Sequence, residues 1–466
     1  MVTLRNSLRP INRLPSEVLT SCATFVSGAD PRPIIPLTHV CRYWRECITS
    51  NPRSWASIST EWKELTLLCL ERARAIPLAV DLTAPDVEED ETFLNALIPH
   101  VSRIGSLCLT GHSSIETVAD ELPGFFGSPM LGLTSLELQQ TEEPVQLFPP
   151  DDAPIPPPFR NVSDLRSLSL TQTPLYPTLF TIGSLVELKL TDYTIPFHFP
   201  TLLVLLDSNR SLELVVLDIQ FVTGSVETTP ARKVPLAHLH HISITCTEPT
   251  DARGLLSCIN LPNGILLEVS SSGSDPLDAC LPLPPTPIQT ALTPITVVKF
   301  QTSPRELHLF SNNGLLVFRS RTSPWKPELH LFSTASVREL HMKITPWTLI
   351  PEFLPPALRQ LPALETLVFA GTPSWGTGAF AWLATQPLLC PYLKTIAFFN
   401  CRLVPEVMRA FEDVIAKRKD SARVRLYRVI IVNSDKPLPD YALIQRLRKH
   451  VPCVDVRMDD KLPDLS

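Results

Sequence analysis

The sequence predicts a chain in two parts: a small α-helical module near the N-terminus, then a long α/β repeat array of short parallel strands with helical or proline-rich returns. Three observations predict it. Residues 11–60 carry apolar side chains at helical spacing, whereas beyond about Leu65 a segment of the form apolar-x-apolar-x-apolar keeps recurring. The chain holds 48 prolines against 15 glycines, which fixes many φ angles and leaves few left-handed turns, so the elements are short. At 466 residues it exceeds what one compact core organises, yet with 44% hydrophobic and 19% charged residues most of it can fold.

After a tail at residues 1–10, the module begins where Pro15 occupies a favourable first helical position and Glu17 suits the positive end of the helix dipole. Leu14, Val18 and Leu19 are expected to share one apolar stripe. The stretch Gly28-Ala29-Asp30-Pro31, followed by Pro33 and Pro36, breaks the chain. A second helix is expected over residues 37–48, with Leu37, Val40, Cys41, Trp44 and Ile48 at helical spacing and Arg42 and Arg45 off that stripe. Asn51-Pro52 stops it, and Trp55 and Ile58 follow as apolar anchors.

These pieces, Leu14-Pro15-x-Glu17-Val18-Leu19, then Val40-Cys41-Arg42-x-Trp44-Arg45, then Asn51-Pro52-x-x-Trp55, resemble the F-box pattern in order and spacing. They are similar to the F-box-like sequences numerous in mushroom-forming (basidiomycete) fungi. The resemblance covers about a tenth of the chain and implies a three-helix module at residues 11–60. It implies that Leu14, Pro15, Val18 and Leu19 bind a Skp-type adaptor, while Val40, Cys41 and Trp44 knit the helices and contribute at the interface edge. The chain would then be the substrate-recognition subunit of an SCF-type cullin-RING ubiquitin ligase, with ubiquitin transfer performed elsewhere in the complex. One departure stands out: where the family continues the first helix with Ile-Phe, this chain has Ser21-Cys22-Ala23-Thr24-Phe25, so a weaker apolar contact is expected there. The alternative is that the helices only cap the array.

In the array, the strand-like segments are Leu107-Cys108-Leu109, Leu136-Glu137-Leu138, Leu168-Ser169-Leu170, Leu188-Lys189-Leu190, Leu217-Asp218-Ile219 and Ile242-Ser243-Ile244. Leu267-Glu268-Val269, Leu307-His308-Leu309, Leu340-His341-Met342, Leu367-Val368-Phe369 and Ile396-Ala397-Phe398 continue the series, mostly at roughly 20 to 33 residue spacings. Several carry a leading Leu-x-x-Leu, as in Leu165-Arg166-Ser167-Leu168 and Leu364-Glu365-Thr366-Leu367. Helical returns are expected at residues 91–101, 351–361, 379–386, 404–419 and 440–450. The pattern is similar to an irregular leucine-rich-repeat solenoid spanning residues 61–466, a horseshoe with parallel strands on its concave face. The usual asparagine turn is mostly missing, although Asn400-Cys401 comes close. A generic α/β domain with parallel strands is the alternative. Proline-dense insertions at 143–159 and 270–294 are expected to be extended loops, a more economical reading than ligands for an SH3-like or WW-like partner.

Composition excludes several functions. The formal net charge is −6 and no long basic block occurs, which argues against nucleic acid and acidic lipid as partners. No stretch approaches 18 apolar residues and the first residues lack an apolar signal core, so no membrane association is expected and the chain is placed in the cytoplasm, the nucleus or both. The 11 cysteines are scattered without any Cys-x-x-Cys pair, and read as small buried hydrophobes in a reducing compartment. No phosphate loop, zinc-protease or serine-hydrolase motif occurs. His238, His240 and His241 near Cys246 read as the loop leading into a strand rather than a metal site. The acidic run at 86–91 and the basic clusters Lys417-Arg418-Lys419 and Arg446-x-Arg448-Lys449-His450 read as charges matched to helix dipoles. The chain is therefore expected to have no catalytic residues, metal or cofactor.

A solenoid turns the middle residue of each strand to its inner face. That gives a ladder in which Glu137, Lys189, Asp218, Glu268, His308 and His341 are candidate contacts for a protein target, with Trp347 and Trp375 as anchors at the C-terminal rim. Cys108, Ser169, Ser243, Val368 and Ala397 complete the ladder. A leucine-rich scaffold or inhibitor acting without any ligase is the alternative function.

Overall fold

The computed structural model describes residues 14–27, 30, 32–83, 91–111, 125, 128–140, 162, 164–173, 182–191, 196–197, 199–221, 233–271, 277–282, 295–302, 305–311, 314–320, 334–343, 356–370, 390–401, 403, 405–421, 425–432 and 441–457. They form an α+β structure whose sheet is mostly parallel. The chain divides into two units, Met1–Ile219 and Gln220–Ser466.

The first unit opens with three helices, α1 (Ser16–Ser27), α2 (Ile34–Thr38) and α3 (Arg42–Ser50), followed by a tight 3-10 turn, Pro52–Trp55. The single helix expected over 37–48 is two. His39 and Val40 close α2 by donating to the carbonyls of Pro36 and Leu37, and Cys41 is extended at φ −162° before its carbonyl receives the amide of Arg45. Leu19, Ala23, Ile34, Cys47, Ile48 and Trp55 fill the interior of the module. Asn51 Nδ2 donates to Ser54 Oγ at 2.8 Å and to Thr24 Oγ1 at 3.1 Å, which ties the Asn-Pro stop to α1. Trp55, 1% exposed, donates its indole N–H to the Ile48 carbonyl at 3.0 Å.

Strand β1 (Ser57–Ser59) follows directly, then α4 (Lys63–Ala73). The Arg72 guanidinium of α4 lies 4.4 Å from the Trp55 ring centroid, so the helical module rests on the first layer of the array. Next come β2 (Leu78–Thr83), α5 (Glu91–Leu97), β3 (Ile104–Gly111), β4 (Ser135–Gln140), β5 (Ser167–Thr171), β6 (Glu187–Thr191), α6 (Phe199–Ser208) and β7 (Leu214–Phe221). Strands β1 to β7 pair in chain order, all in parallel. Leu107, Leu136, Leu168 and Leu188 share one register and are wholly buried, so the period of the sequence becomes a stacked leucine column.

In four of these units the leading leucine closes a turn three residues back: Leu133 donates to Met130, Leu165 to Val162, Leu364 to Leu361 and Leu393 to Cys390, whereas Leu185 donates to Asn209 Oδ1 at 3.1 Å. The next residue then reaches the preceding layer, as Thr134 does to Gly105 and Arg166 to Thr134, both at 2.8 Å. Where the asparagine turn was missing, other side chains fill its position. After β5, Gln172 turns at φ 54° and Thr173 Oγ1 lies 3.0 Å from the Thr171 carbonyl and 3.4 Å from the Leu138 carbonyl.

The second unit contains β8 (His241–Cys246), α7 (Pro249–Cys258), β9 (Ile265–Ser271), β10 (Ile295–Thr302), β11 (Arg305–Ser311), β12 (Gly314–Ser320), β13 (Glu339–Lys343), β14 (Thr366–Ala370) and β15 (Thr395–Phe399). After these come α8 (Pro405–Ser421), β16 (Arg428–Val432), α9 (Tyr441–His450) and β17 (Cys453–Arg457). Strands β8 and β9 are parallel neighbours, and β13 to β17 are parallel in chain order. After β15 the turn recurs: Asn400 has φ 50°, and the Cys401 thiol lies 3.4 Å from the carbonyls of both Phe369 and Phe399.

Two expectations are corrected here and a third is refined. Leu307-His308-Leu309 belongs to β11, which is antiparallel to both neighbours, because β10, β11 and β12 form a meander set into the parallel ladder. Its first strand pairs with β13 and its last with β9. Residues 270–294 are not wholly loop: β9 runs to Ser271 and Leu277–Cys280 is helical. Arg418 stands in the last turn of α8 as expected, but the helix dipole is not the whole account of it. It is 2% exposed, donates to the Cys390 carbonyl at 2.8 Å, and burial holds its pKa below the usual arginine value. The insertion at 143–159 and the return at 379–386 lie outside the described residues.

Candidate functional site

Two surfaces bring together the residues singled out in the sequence. On the helical module, Pro15 and Val18 are exposed, Leu14 and Trp44 are half-buried, and the Tyr43 hydroxyl donates to the Leu14 carbonyl at 3.0 Å. That bond holds the start of α1 against α3. Val40 is exposed and Cys41 half-buried in the break between α2 and α3. Leu19 is different: at 3% exposed it belongs to the interior of the module and presents no surface. Adjacent helix positions differ by about 100°, so Val18 and Leu19 face different ways, and only Val18 faces out.

Phe25 emerges as the most prominent apolar side chain of the module. It is 88% exposed and lies with Val18 and Cys22 at i, i+4 and i+7 on α1, while Leu19 and Ala23 of the same helix are buried. Its i+7 spacing from Val18 was the signal available in the sequence. A groove of about 390 Å³ lies between α1 and α3 on another side of the helix, lined by Glu17, Thr20, Tyr43, Glu46 and Ser50 among others and by no residue of this stripe.

The second surface is the ladder face of the sheet. In the first unit, parallel register places Asp81, Cys108, Glu137, Ser169, Lys189 and Val216 on one line. Asp218 is two residues further along β7, so Val216 occupies the rung expected for it. Glu137 is exposed and Lys189 and Asp218 are half-exposed. Lys189 Nζ lies 3.9 Å from Glu187 Oε2, which also accepts from Ser167 Oγ at 3.2 Å. Asp81 as a residue is open to water, yet partial desolvation of its carboxyl, with the like charge of Glu61 second, raises its pKa; a bond from the Cys108 thiol opposes this. Burial, together with Asp81 and Glu137, pushes Cys108 up to about 11, so it remains a neutral thiol.

In the second unit the corresponding line reads Ser243, Glu268, Val317, His308, Lys299, His341, Val368, Ala397, Ile430 and Asp455. Val317 therefore separates Glu268 from His308, and β10 separates His308 from His341. His341 Nε2 lies 3.1 Å from Glu339 Oε2, and His241 Nε2 lies 3.5 Å from Glu268 Oε2. Val317, Val368, Ala397, Ile430 and Val432 are each at most 4% exposed. Strands β14 to β16 are thus buried on both faces, which matches their unbroken apolar runs. Trp347 and Trp375 lie outside the described residues.

Among the described residues no three His, Cys, Asp or Glu side chains converge as a metal ion would require, and His241 stands within β8. All 11 cysteines are free; seven are buried and Cys22 is exposed. No helix among the described residues is long and apolar enough to cross a membrane. No protein-family model and no curated protein sequence matches the chain.

Proposed function

We propose that this chain is a substrate-recognition subunit of an SCF-type ubiquitin ligase: an F-box module docks a Skp-type adaptor, and a leucine-rich-repeat array holds a target protein. Catalysis belongs to other subunits. One observation carries the reading. Helix α1 has its interior face filled by Leu19 and Ala23 and still presents Val18, Cys22 and Phe25 to solvent. A module that merely capped the array would have no use for a second apolar face, whereas a docking helix needs one. The polar stretch at Ser21 leaves the stripe to be anchored by Phe25 in place of the family's Ile-Phe pair.

Capture of a purified Skp-type adaptor by the full chain tests this reading. Val18→Asp and Phe25→Asp should each weaken capture at least roughly tenfold, since buried apolar anchors are worth about 1–2 kcal/mol or more. Arg45→Ala, on an exposed position of α3, should leave capture within about twofold. An intact chain that captures no adaptor would instead support the ligase-independent scaffold.

A further inference from the structure

Resting on the receptor reading of the array, we infer that the ladder face of the first unit is the target surface, and that it takes an extended segment rich in lysine or arginine. The two units differ sharply on this face. In the second unit Val317, Val368, Ala397, Ile430 and Val432 are already covered, so much of the line is closed to a partner. In the first unit Asp81, Glu137 and Gln139 are exposed, and Cys108, Thr110, Ser169, Thr171, Lys189 and Thr191 are half-exposed.

The chemistry of the open face selects the partner. Along β2 to β7 it carries four carboxylates, Asp81, Glu137, Glu187 and Asp218, against a single cation, Lys189, and that cation is paired with Glu187. Among the described residues no lysine, arginine or histidine pairs with Asp81 or Glu137. The Asp81 carboxyl is raised first by partial desolvation and then by the like charge of Glu61, so a cation brought against it would favour its charged form. Beside Cys108, Gln139 and Val216, many of the remaining rungs are hydroxyls, including Ser106, Ser135, Ser167, Ser169, Thr110, Thr171 and Thr191, which can both donate to and accept from a peptide backbone. The Thr171 and Thr191 hydroxyls already bond to each other at 2.9 Å across adjacent strands.

Spacing narrows the segment further. Asp81 and Glu137 stand on the same line two strands apart, with β3 between them. Two strand spacings are roughly 10 Å, which three residues of extended chain span. A segment laid across the strands as a polyproline II helix, with three residues per turn, would therefore present basic residues three apart on one side, to the two carboxylates. Nucleic acid would be repelled by the same charges.

The test uses the full chain with two synthetic peptides as probes, one of serines with lysine at every third position and one of serines with glutamate at every third position, alongside adaptor capture as a separate arm. The lysine peptide should bind saturably and weaken as salt is raised, and the glutamate peptide should not bind. The double variant D81N/E137Q should weaken the lysine peptide roughly threefold to tenfold, as expected for two exposed ion pairs, while adaptor capture stays unchanged. Equal binding of both peptides, no binding of the lysine peptide, or unchanged binding by the double variant overturns the inference. Failure of adaptor capture alongside selective lysine-peptide binding would retain the surface assignment and remove the ligase reading.

Discussion

Trp55 joins the helical module to the array, and its removal should loosen the module selectively. The side chain is 1% exposed, donates to the Ile48 carbonyl at 3.0 Å, and has the Arg72 guanidinium 4.4 Å from its ring centroid. Truncating a buried tryptophan to alanine costs about 3–5 kcal/mol, and the lost hydrogen bond and cation–π contact lie within that total. At 1.36 kcal/mol per factor of ten, amide exchange in α1 and α3 should accelerate by roughly a few hundred-fold to a few thousand-fold in Trp55→Ala. Trp55→Phe keeps most of the apolar volume and loses the N–H donor, about 1 kcal/mol, so it should accelerate exchange only about fivefold. Hydrogen exchange resolved by segment reads both, with β14 and β15 as the internal reference. Acceleration of less than tenfold in the alanine variant, or equal effects of alanine and phenylalanine, would refute the view that Trp55 is the central packing element of the module.

Thr173→Val should destabilise the first unit by about 1–2 kcal/mol in urea unfolding, since the turn after β5 loses its donor to the Thr171 and Leu138 carbonyls while volume is retained. Arg418→Lys should cost about 1–3 kcal/mol, because the ammonium cannot reproduce the planar guanidinium's bond to the Cys390 carbonyl in a buried site; a melting temperature unchanged from the parent would count against this. Asp455 is held below the usual carboxylate range, chiefly by its hydrogen bond from Arg457 and further by Arg428. A depressed folded-state pKa gives stability that is present above about pH 4 and lost as pH falls through the folded value, so acid should destabilise β16 and β17, and Asp455→Asn should abolish that component of the pH profile.

The array was legible because its signal is periodic: all eleven apolar-x-apolar segments are strands, and the buried column of Leu107, Leu136, Leu168 and Leu188 follows directly from that period. The meander was not, for two physical reasons. Val297-Val298 breaks alternation within β10, and Pro294 and Pro304 flank the strand, so the stretch just after the proline-dense insertion at 270–294 carries no clear strand signal. Strand direction also leaves no trace in a period-2 pattern, so β11 looked like any other rung. Strand β16, Val429-Ile430-Ile431-Val432, lacks polar alternation altogether because both its faces are buried. In the helical module, the spacing of Val40, Cys41 and Trp44 persists across a chain break that changes which of them face water. The apolar stripe expected there included Leu19, but Phe25 contributes where Leu19 does not.

The meander bears on the order in which the second unit can assemble. In a parallel ladder grown in chain order, each new strand finds a finished edge waiting for it. Strand β10 does not, because the edge of β9 is reserved for β12, whose paired residues Glu268 and Val317 are roughly fifty positions apart. Until β12 arrives, β10 and β11 can exist only as a detached hairpin, and β13 has no template except β10. Growth from the N-terminus must pause at this point and resume as one cooperative step that closes a long loop. A nascent chain stalled near residue 302 would leave β9 with a bare edge, an exposed strand of the kind that invites mispairing between copies.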